Sequence, residues 1–330
     1  MTEHNLVSMT APLRDDFDIP CHDIGPAEKL PWVVLVGGVH GNELNGIFVL
    51  SRLANLLRLA AAGQHPDFRI RRRVMVVPAV NVLGVNTGSR IWPFDKTDIN
   101  RSFPGNAAGE TTQRIAHALL AGTLSARHRI DIHCSNDHFE ELPQVRLYEP
   151  HDDERAGAYL FGLPAIVERP MSGVFTSTLG HAWRHHGGEN YVIQAGHAGS
   201  LQLPHCERLF QALINFLLHK GALSGTRFTE PEEDVHYFGM DQSVPVISRG
   251  AGLFVSHLEV GRWVRRGEVL GILHDAFDGD VISNITSPVS GLLSGMRRQP
   301  LLCEGDLVAR VQSLGAEGAA MDTYLHGQGQ

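Results

Sequence analysis

No two cysteines of this chain stand at metal-binding or redox spacing: Cys21, Cys134, Cys206 and Cys303 are scattered through 330 residues. That excludes a thiolate zinc site and a disulfide framework, and it suits a cytoplasmic location. Positive charge is scarce as well. Lys and Arg number 28 against 36 Asp and Glu, giving a net charge of −8 and a pI near 6.2, so neither nucleic acid nor an anionic membrane surface is an expected partner. Near the start stand Asp15, Asp16 and Asp18 rather than a basic region backed by an apolar run, so no signal peptide is expected. The longest apolar stretches, such as residues 54–62, are interrupted by Arg or Asn, which argues against a membrane-spanning helix. A hydrophobic share of 43% is enough for a large core, and the length predicts one large domain with a smaller companion.

Three short polar clusters stand out, each where an apolar run ends: His40-Gly41-Asn42-Glu43, Asp98-Ile99-Asn100-Arg101 and Asp131-Ile132-His133. His40 and Glu43 lie three apart at the mouth of a strand predicted over 33–38, so a bend before the next helix turns both toward one ion. His133 ends a second apolar strand and completes the set. Two imidazoles and a carboxylate, with a fourth position left to water, form the ligand set of catalytic zinc, which lowers the pKa of bound water toward roughly 7. The same donors also suit other divalent transition metals. Cys134 follows His133 on the same strand and so points to the opposite face, as a buried neighbour rather than a ligand. His181 and His185 are four apart on a predicted helix but have no carboxylate in register, and they read as an exposed helix end. His138 falls in a segment, 137–142, that reads as a loop over the site with a role in substrate contact.

Residues 1–228 alternate β-branched runs at 33–36, 74–77, 130–133, 145–148, 165–168 and 191–194 with helical patterns at 45–62, 110–125, 154–161, 176–186 and 205–219. This predicts an α/β fold, a mixed sheet with flanking helices, whose ligands bind beyond the carboxyl ends of the strands. After an acidic, proline-containing linker at 230–234, short glycine-punctuated strands predict a C-terminal all-β module over 229–315 and a flexible tail over 316–330. Within that module, 261–272 followed by 287–293 resembles a lipoyl or biotinyl barrel-sandwich. The hairpin of such carriers bears a lysine that is missing here, so the module reads as structural or as a lid. Arg265 and Arg266 read as a solvated edge-strand face.

Gly37-Gly38-Val39-His40-Gly41-Asn42-Glu43, Asn81, Arg90, Asp98-Ile99-Asn100-Arg101-Ser102-Phe103-Pro104-Gly105 and Asp131-Ile132-His133 recur in the order and rough spacing of the succinylglutamate desuccinylase and aspartoacylase family. The chain thus resembles a branch of the zinc carboxypeptidase superfamily over most of its length. The resemblance implies one zinc ion per chain held by His40, Glu43 and His133. It implies that Asn100 and Arg101 grip a substrate carboxylate, a task suited to a guanidinium fork with an amide beside it. It also implies that Arg90 stabilises the oxyanion formed on the attacked carbonyl.

One departure weighs against these matches. The family places a glutamate on a late strand to move the proton from the nucleophilic water to the leaving amine, and in the corresponding run, Tyr191-Val192-Ile193-Gln194-Ala195-Gly196, this chain has Gln194. An amide cannot accept that proton, and losing a general base costs on the order of 10² to 10⁴ in rate. Either another group substitutes or the chain is not a hydrolase of the usual kind. His197, just beyond Gly196, is the expected substitute. Glu189 lies five residues back along the strand, and Glu168 and the loop acids Glu140 and Glu141 are the remaining candidates.

The expected function is therefore a zinc-dependent hydrolase that cleaves the amide bond of a small N-acyl amino acid or related carboxylated metabolite. The alternative is a catalytically impaired relative that binds metal and a carboxylated ligand. A C-terminal peptidase is disfavoured because the β-module and the 137–142 segment would narrow the cleft. Homo-oligomerisation is left open.

Overall fold

The structure, a computed structural model, describes residues 2–11, 16–27, 30–171, 175–226 and 235–313. The predicted linker at 230–234 and the tail at 316–330 both fall wholly outside these residues. In chain order the elements are β1 (Thr2–Met9), β2 (Phe17–Ile24), β3 (Val33–Val36), α1 (Leu44–Ala61), β4 (Arg69–Ile70), β5 (Val74–Val77), α2 (Val82–Thr87), α3 (Thr111–Thr123), β6 (His128–Ser135), β7 (Phe139–Tyr148), α4 (Asp152–Ala158), β8 (Ala165–Arg169), α5 (Leu179–Arg184), β9 (Glu189–His197) and α6 (Leu203–His219). After α6 the described chain contains strands and no helix: β10 (Leu223–Ser224), β11 (His236–Phe238), β12 (Ser243–Ile247), β13 (Gly252–Val255), β14 (Trp263–Val264), β15 (Val269–His274), β16 (Val281–Thr286), β17 (Gly291–Arg297), β18 (Leu301–Leu302) and β19 (Leu307–Ser313).

The expected mixed sheet is present. Strands β5, β3, β6 and β9 run parallel, β7 pairs antiparallel with β9, and β8 runs parallel to β7. Alternation along each strand assigns its faces. Val33, Leu35, Ile130, Ile132, Tyr191 and Ile193 pack into one apolar core with α1 and α6, while Val34 and Val36 enter a second with Ile115, Leu119, Leu179 and Trp183 of α3 and α5. Helix α1 is apolar and long enough to cross a membrane by length and composition alone, but half of it is buried in this core against the sheet and α6.

Two segments depart from expectation. Thr2–Met9 and Phe17–Ile24 form an antiparallel hairpin that extends the sheet through β2 and β5. Residues 139–142 are not a loop: they open β7, with Phe139 and Leu142 buried, and β7 joins β17 of the C-terminal strands antiparallel. Both acids of this stretch are buried: Glu141 is paired with Arg146 and Arg310, and Glu140 with Arg298 and His205. Through β7 and β17 the main sheet reaches 13 strands, with β17, β19 and β12 continuing it beyond the N-terminal part. A second sheet, β16-β15-β13-β18, packs over it around Phe254, Leu270, Leu293, Met296 and Val311.

Candidate active site

The three polar clusters meet at the carboxyl ends of β3 and β6, where a parallel sheet leaves room for a ligand. Two close approaches bend the chain there. Gly38 takes φ +57, and a Cβ on Gly41 would lie 2.2 Å from the backbone carbon of Gly84 in α2. That packing turns His40 and Glu43 inward ahead of α1. On β6, Ile130 and Ile132 face the core while Asp131 and His133 face the opposite side, toward the cavity.

His40 Nδ1 lies 2.7 Å from Glu43 Oε1, and His133 Nδ1 lies 2.9 Å from Glu43 Oε2. One ligand atom from each of the three buried residues falls within 4.8 Å of the others. The far nitrogen of each ring is held by a carboxylate, His40 Nε2 by Asp98 at 3.0 Å and His133 Nε2 by Asp131 at 2.8 Å. Such outer carboxylates fix the tautomer and aim the other nitrogen at an ion. Burial opposes charge on Glu43 and Asp98, but the histidines and, for Asp98, Arg90 outweigh it and hold both carboxyls well below the usual range. Burial likewise opposes protonation of His133, yet Asp131 and Glu43 drive its pKa well upward. Metal ligation requires neutral imidazoles, and the three carboxylates of Glu43, Asp98 and Asp131 then exceed Arg90, the guanidinium bonded to them among the described residues, by two negative charges. The donor set and the charge both fit a divalent cation.

Arg90 Nη1 reaches Glu43 Oε1 at 3.3 Å and Nη2 reaches Asp98 Oδ2 at 3.5 Å. Its side chain is 39% exposed, so one flank stays open to a ligand. Asn81 fixes the backbone on either side: its Oδ1 accepts from Gly84 N at 2.9 Å, and its Nδ2 donates to the Arg90 carbonyl at 3.1 Å. Asn100 and Arg101 line the same cavity. The Asn100 oxygen is taken by Leu179 N at 2.9 Å and its amide nitrogen lies 3.4 Å from His133 Nε2, so this side chain positions its neighbours. Arg101 donates to the Asn100 carbonyl at 2.9 Å and is not hydrogen-bonded to Asp98 among the described residues, leaving the rest of its guanidinium facing the cavity.

The cavity has a volume of about 660 Å³ and includes Gln194, which projects from β9 beside Val192. His197 ends β9 and does not line the cavity; its Nδ1 lies 2.8 Å from the carbonyl of Ala198. Glu168 is engaged with Arg155 and Tyr237, and Glu189 sits at the far end of β9 with His128, Tyr191 and Lys220. Of the candidate substitute bases, only Glu141 reaches the cavity, and both its oxygens are bonded to Arg146. Cys134 is buried beside His133 among the residues at the cavity; its backbone N–H donates to Glu43 Oε2 at 3.1 Å and burial pushes its thiol well up, so it stays a neutral neighbour. The rings of His181 and His185 contact each other at 4.7 Å away from the metal cluster.

Sequence reading missed Arg146, Tyr148, Arg169 and Arg310, all of which line the cavity. A signal for the first two was present: Gln144, Arg146 and Tyr148 alternate with Val145 and Leu147, the pattern of a strand with one polar and one buried face.

A family model described as "Succinylglutamate desuccinylase/Aspartoacylase catalytic domain" matches residues 29–219. The chain is similar to the N-alpha-acetyl-L-2,4-diaminobutyric acid deacetylase of Halomonas elongata, at 27% identity over 301 residues that cover 86% of this chain and 84% of the relative. Among solved structures it is similar to a succinylglutamate desuccinylase/aspartoacylase from Rhodobacter sphaeroides, with a TM-score of 0.73 and 27% identity over 91% of this chain and 90% of the other. It is also similar to the product-bound ectoine utilization protein EutE (DoeB) from Ruegeria pomeroyi, with a TM-score of 0.75 and 26% identity over 91% and 90% of the two chains.

Proposed function

The chain belongs to the succinylglutamate desuccinylase/aspartoacylase family, and on that premise we propose that it is a zinc-dependent deacylase that cleaves the amide bond of a small N-acyl amino acid. The observation that carries this reading is the convergence of His40, Glu43 and His133, each imidazole backed by its own carboxylate. The deacetylase activity in the name of the Halomonas relative supports the reaction class. We propose a cytoplasmic location from the scattered cysteine usage of the sequence. The C-terminal strands read as a barrel-sandwich-like module that narrows the cavity, since Leu307 and Arg310 of β19 line it.

His40, Glu43 and His133 would hold zinc, which when bound would supply a Lewis acid and a water nucleophilic near neutral pH. The chain's own residues do the rest. Arg101 pairs with the substrate carboxylate, while Asn100 holds the turn that presents it. Arg90, free on one flank, donates to the oxygen of the attacked carbonyl as negative charge develops there. Gln194 orients through its amide but accepts no proton, so turnover is slower by roughly 10² to 10⁴ than with a carboxylate in that place.

Gln194 also favours a second reading, a relative that binds metal and a carboxylated ligand without turnover. Incubating the zinc-loaded protein with a panel of N-acyl amino acids and measuring released amine separates the two. Release that depends on zinc supports the deacylase. Binding of the panel with no release from any member supports the second reading.

A further inference from the structure

The cavity carries a second polar group that the reading above does not use. Glu141 of β7 receives Arg146 Nη2 at 2.5 Å on each of its oxygens and Arg310 Nη1 at 2.6 Å on Oε1. Arg169, at the end of β8, lines the same space and is tied on one side, where Nη1 donates to Ser243 Oγ at 3.1 Å. Among the described residues its Nη2 is buried with no partner, as is Nε of Arg146. Arg146 and Arg310 share Glu141 and Arg169 lines the cavity with them, so three guanidiniums against one carboxylate leave two positive charges in excess. Burial, followed by repulsion from Arg146 and Arg310, pushes the Arg169 guanidinium down to about 9. Partly buried like charges of this kind are costly unless an anion completes the group. The three side chains project from strands, which holds the fork geometry that suits oxyanions. Arg310 comes from β19 in the C-terminal strands, so that part of the chain supplies charge to the site as well as a wall.

We propose that Arg146, Arg169 and Arg310 form an oxyanion subsite that takes an anionic group of the substrate beyond the carboxylate assigned to Arg101. The inference rests on the proposed function. It narrows the substrate class to N-acyl amino acids with a further carboxylate, or an equivalent oxyanion, in the acyl arm or the side chain. The same charge disfavours a substrate whose free arm ends in an ammonium group.

The test is calorimetric titration of the zinc-loaded full chain with acetate, succinate and inorganic phosphate, repeated with Arg169→Gln and Arg310→Gln. Succinate is expected to bind at least about tenfold tighter than acetate, and each variant is expected to weaken succinate by on the order of tenfold while leaving acetate unchanged. Arg169→Lys, which keeps the charge and loses the fork, should fall between and serves if a glutamine variant does not fold. Phosphate binding tighter than succinate, with the same dependence on Arg169, would keep the subsite and identify a phosphorylated arm as its occupant. Equal affinity for acetate and succinate, or succinate affinity unaltered in every folded variant, would overturn the proposal. The readout needs no turnover, so a protein that releases no amine can still pass this test, and an active deacylase can still fail it.

Discussion

Arg146 and Gln194 meet across the antiparallel pair of β7 and β9, with Arg146 Nη1 donating to Gln194 Oε1 at 3.4 Å. The same guanidinium holds Glu141, so the carboxylate nearest this point is on β7 and already neutralised. Replacing Gln194 with glutamate would place a second carboxylate against Arg146. A cation at that distance favours the ionised form. We expect Gln194→Glu to raise kcat by about tenfold or more. Its pH–rate profile should gain an acid limb, with activity lost as pH falls through a pKa below the ordinary glutamate value. Unchanged kcat with no acid limb would show that position 194 plays no part in proton transfer.

His40, Glu43 and His133 each supply one ligand atom to the cluster. Alanine at His40 or His133 should reduce bound zinc from about one per chain to near zero, as measured by elemental analysis after dialysis. Retention of full stoichiometry by both variants would place the metal elsewhere.

Arg90 and Arg101 line one cavity and differ in what they touch. Arg90 adjoins the ligand cluster, and Arg90→Gln should lower kcat by about 10² to 10³ with little change in KM. Arg101→Gln should act mainly on KM, because the carboxylate it binds is present in both ground and transition states. Exchange of these two patterns would reverse the assignments.

Two buried glutamates tie the fold to pH. Burial raises the pKa of Glu140, but His205 and Arg298 outweigh it and hold it at about 2, and Glu189 is held at about 2 by His128, Lys220 and Tyr191 in the same way. A carboxyl depressed in the folded state contributes stability that is present above its unfolded value and lost as pH falls through the folded one. The urea midpoint should therefore drop steadily as pH is lowered from about 5 toward 2, and Glu140→Gln should lessen that slope. A slope unaltered by Glu140→Gln would remove Glu140 from this account.

A Cβ on Gly41 would meet the Gly84 backbone at 2.2 Å, closer than any relaxation of a side chain can relieve. Gly41→Ala should destabilise the chain by more than about 1 kcal/mol and weaken zinc binding, because α2 and the His40 turn must separate. Thermal unfolding with and without zinc checks this, and a variant indistinguishable from the parent would contradict it.

What sequence could show followed from locality. His40 and Glu43 lie on one turn, and Asp131 and His133 share one strand face, so their convergence needed only two strands ending at the same edge of the sheet. The six strands and five helices expected before position 220 are all present in the fold, with shifted ends. The β1–β2 hairpin escaped because Glu3, His4, Asn5 and Ser8 of β1 are exposed and polar and β2 alternates exposed with buried positions, so neither strand is a continuous apolar run. The strand at 139–142 was not legible because several partners of its two acids, His205 and Arg298 for Glu140 and Arg310 for Glu141, lie 65, 158 and 169 residues away in the chain. The arginine cluster was hidden for the same reason: joining β7 to β17 and β19 depends on a strand pairing that no local pattern specifies.

The most direct test of the deacylase assignment is amine release from a panel of N-acyl amino acids by the zinc-loaded protein, run beside the Gln194→Glu variant. The account predicts slow, zinc-dependent release by the unaltered chain, lost in His133→Ala and faster in the glutamate variant. Release by the glutamate variant alone, with every panel member bound but uncleaved by the natural chain, would contradict it and mark the protein as one that binds without turning over.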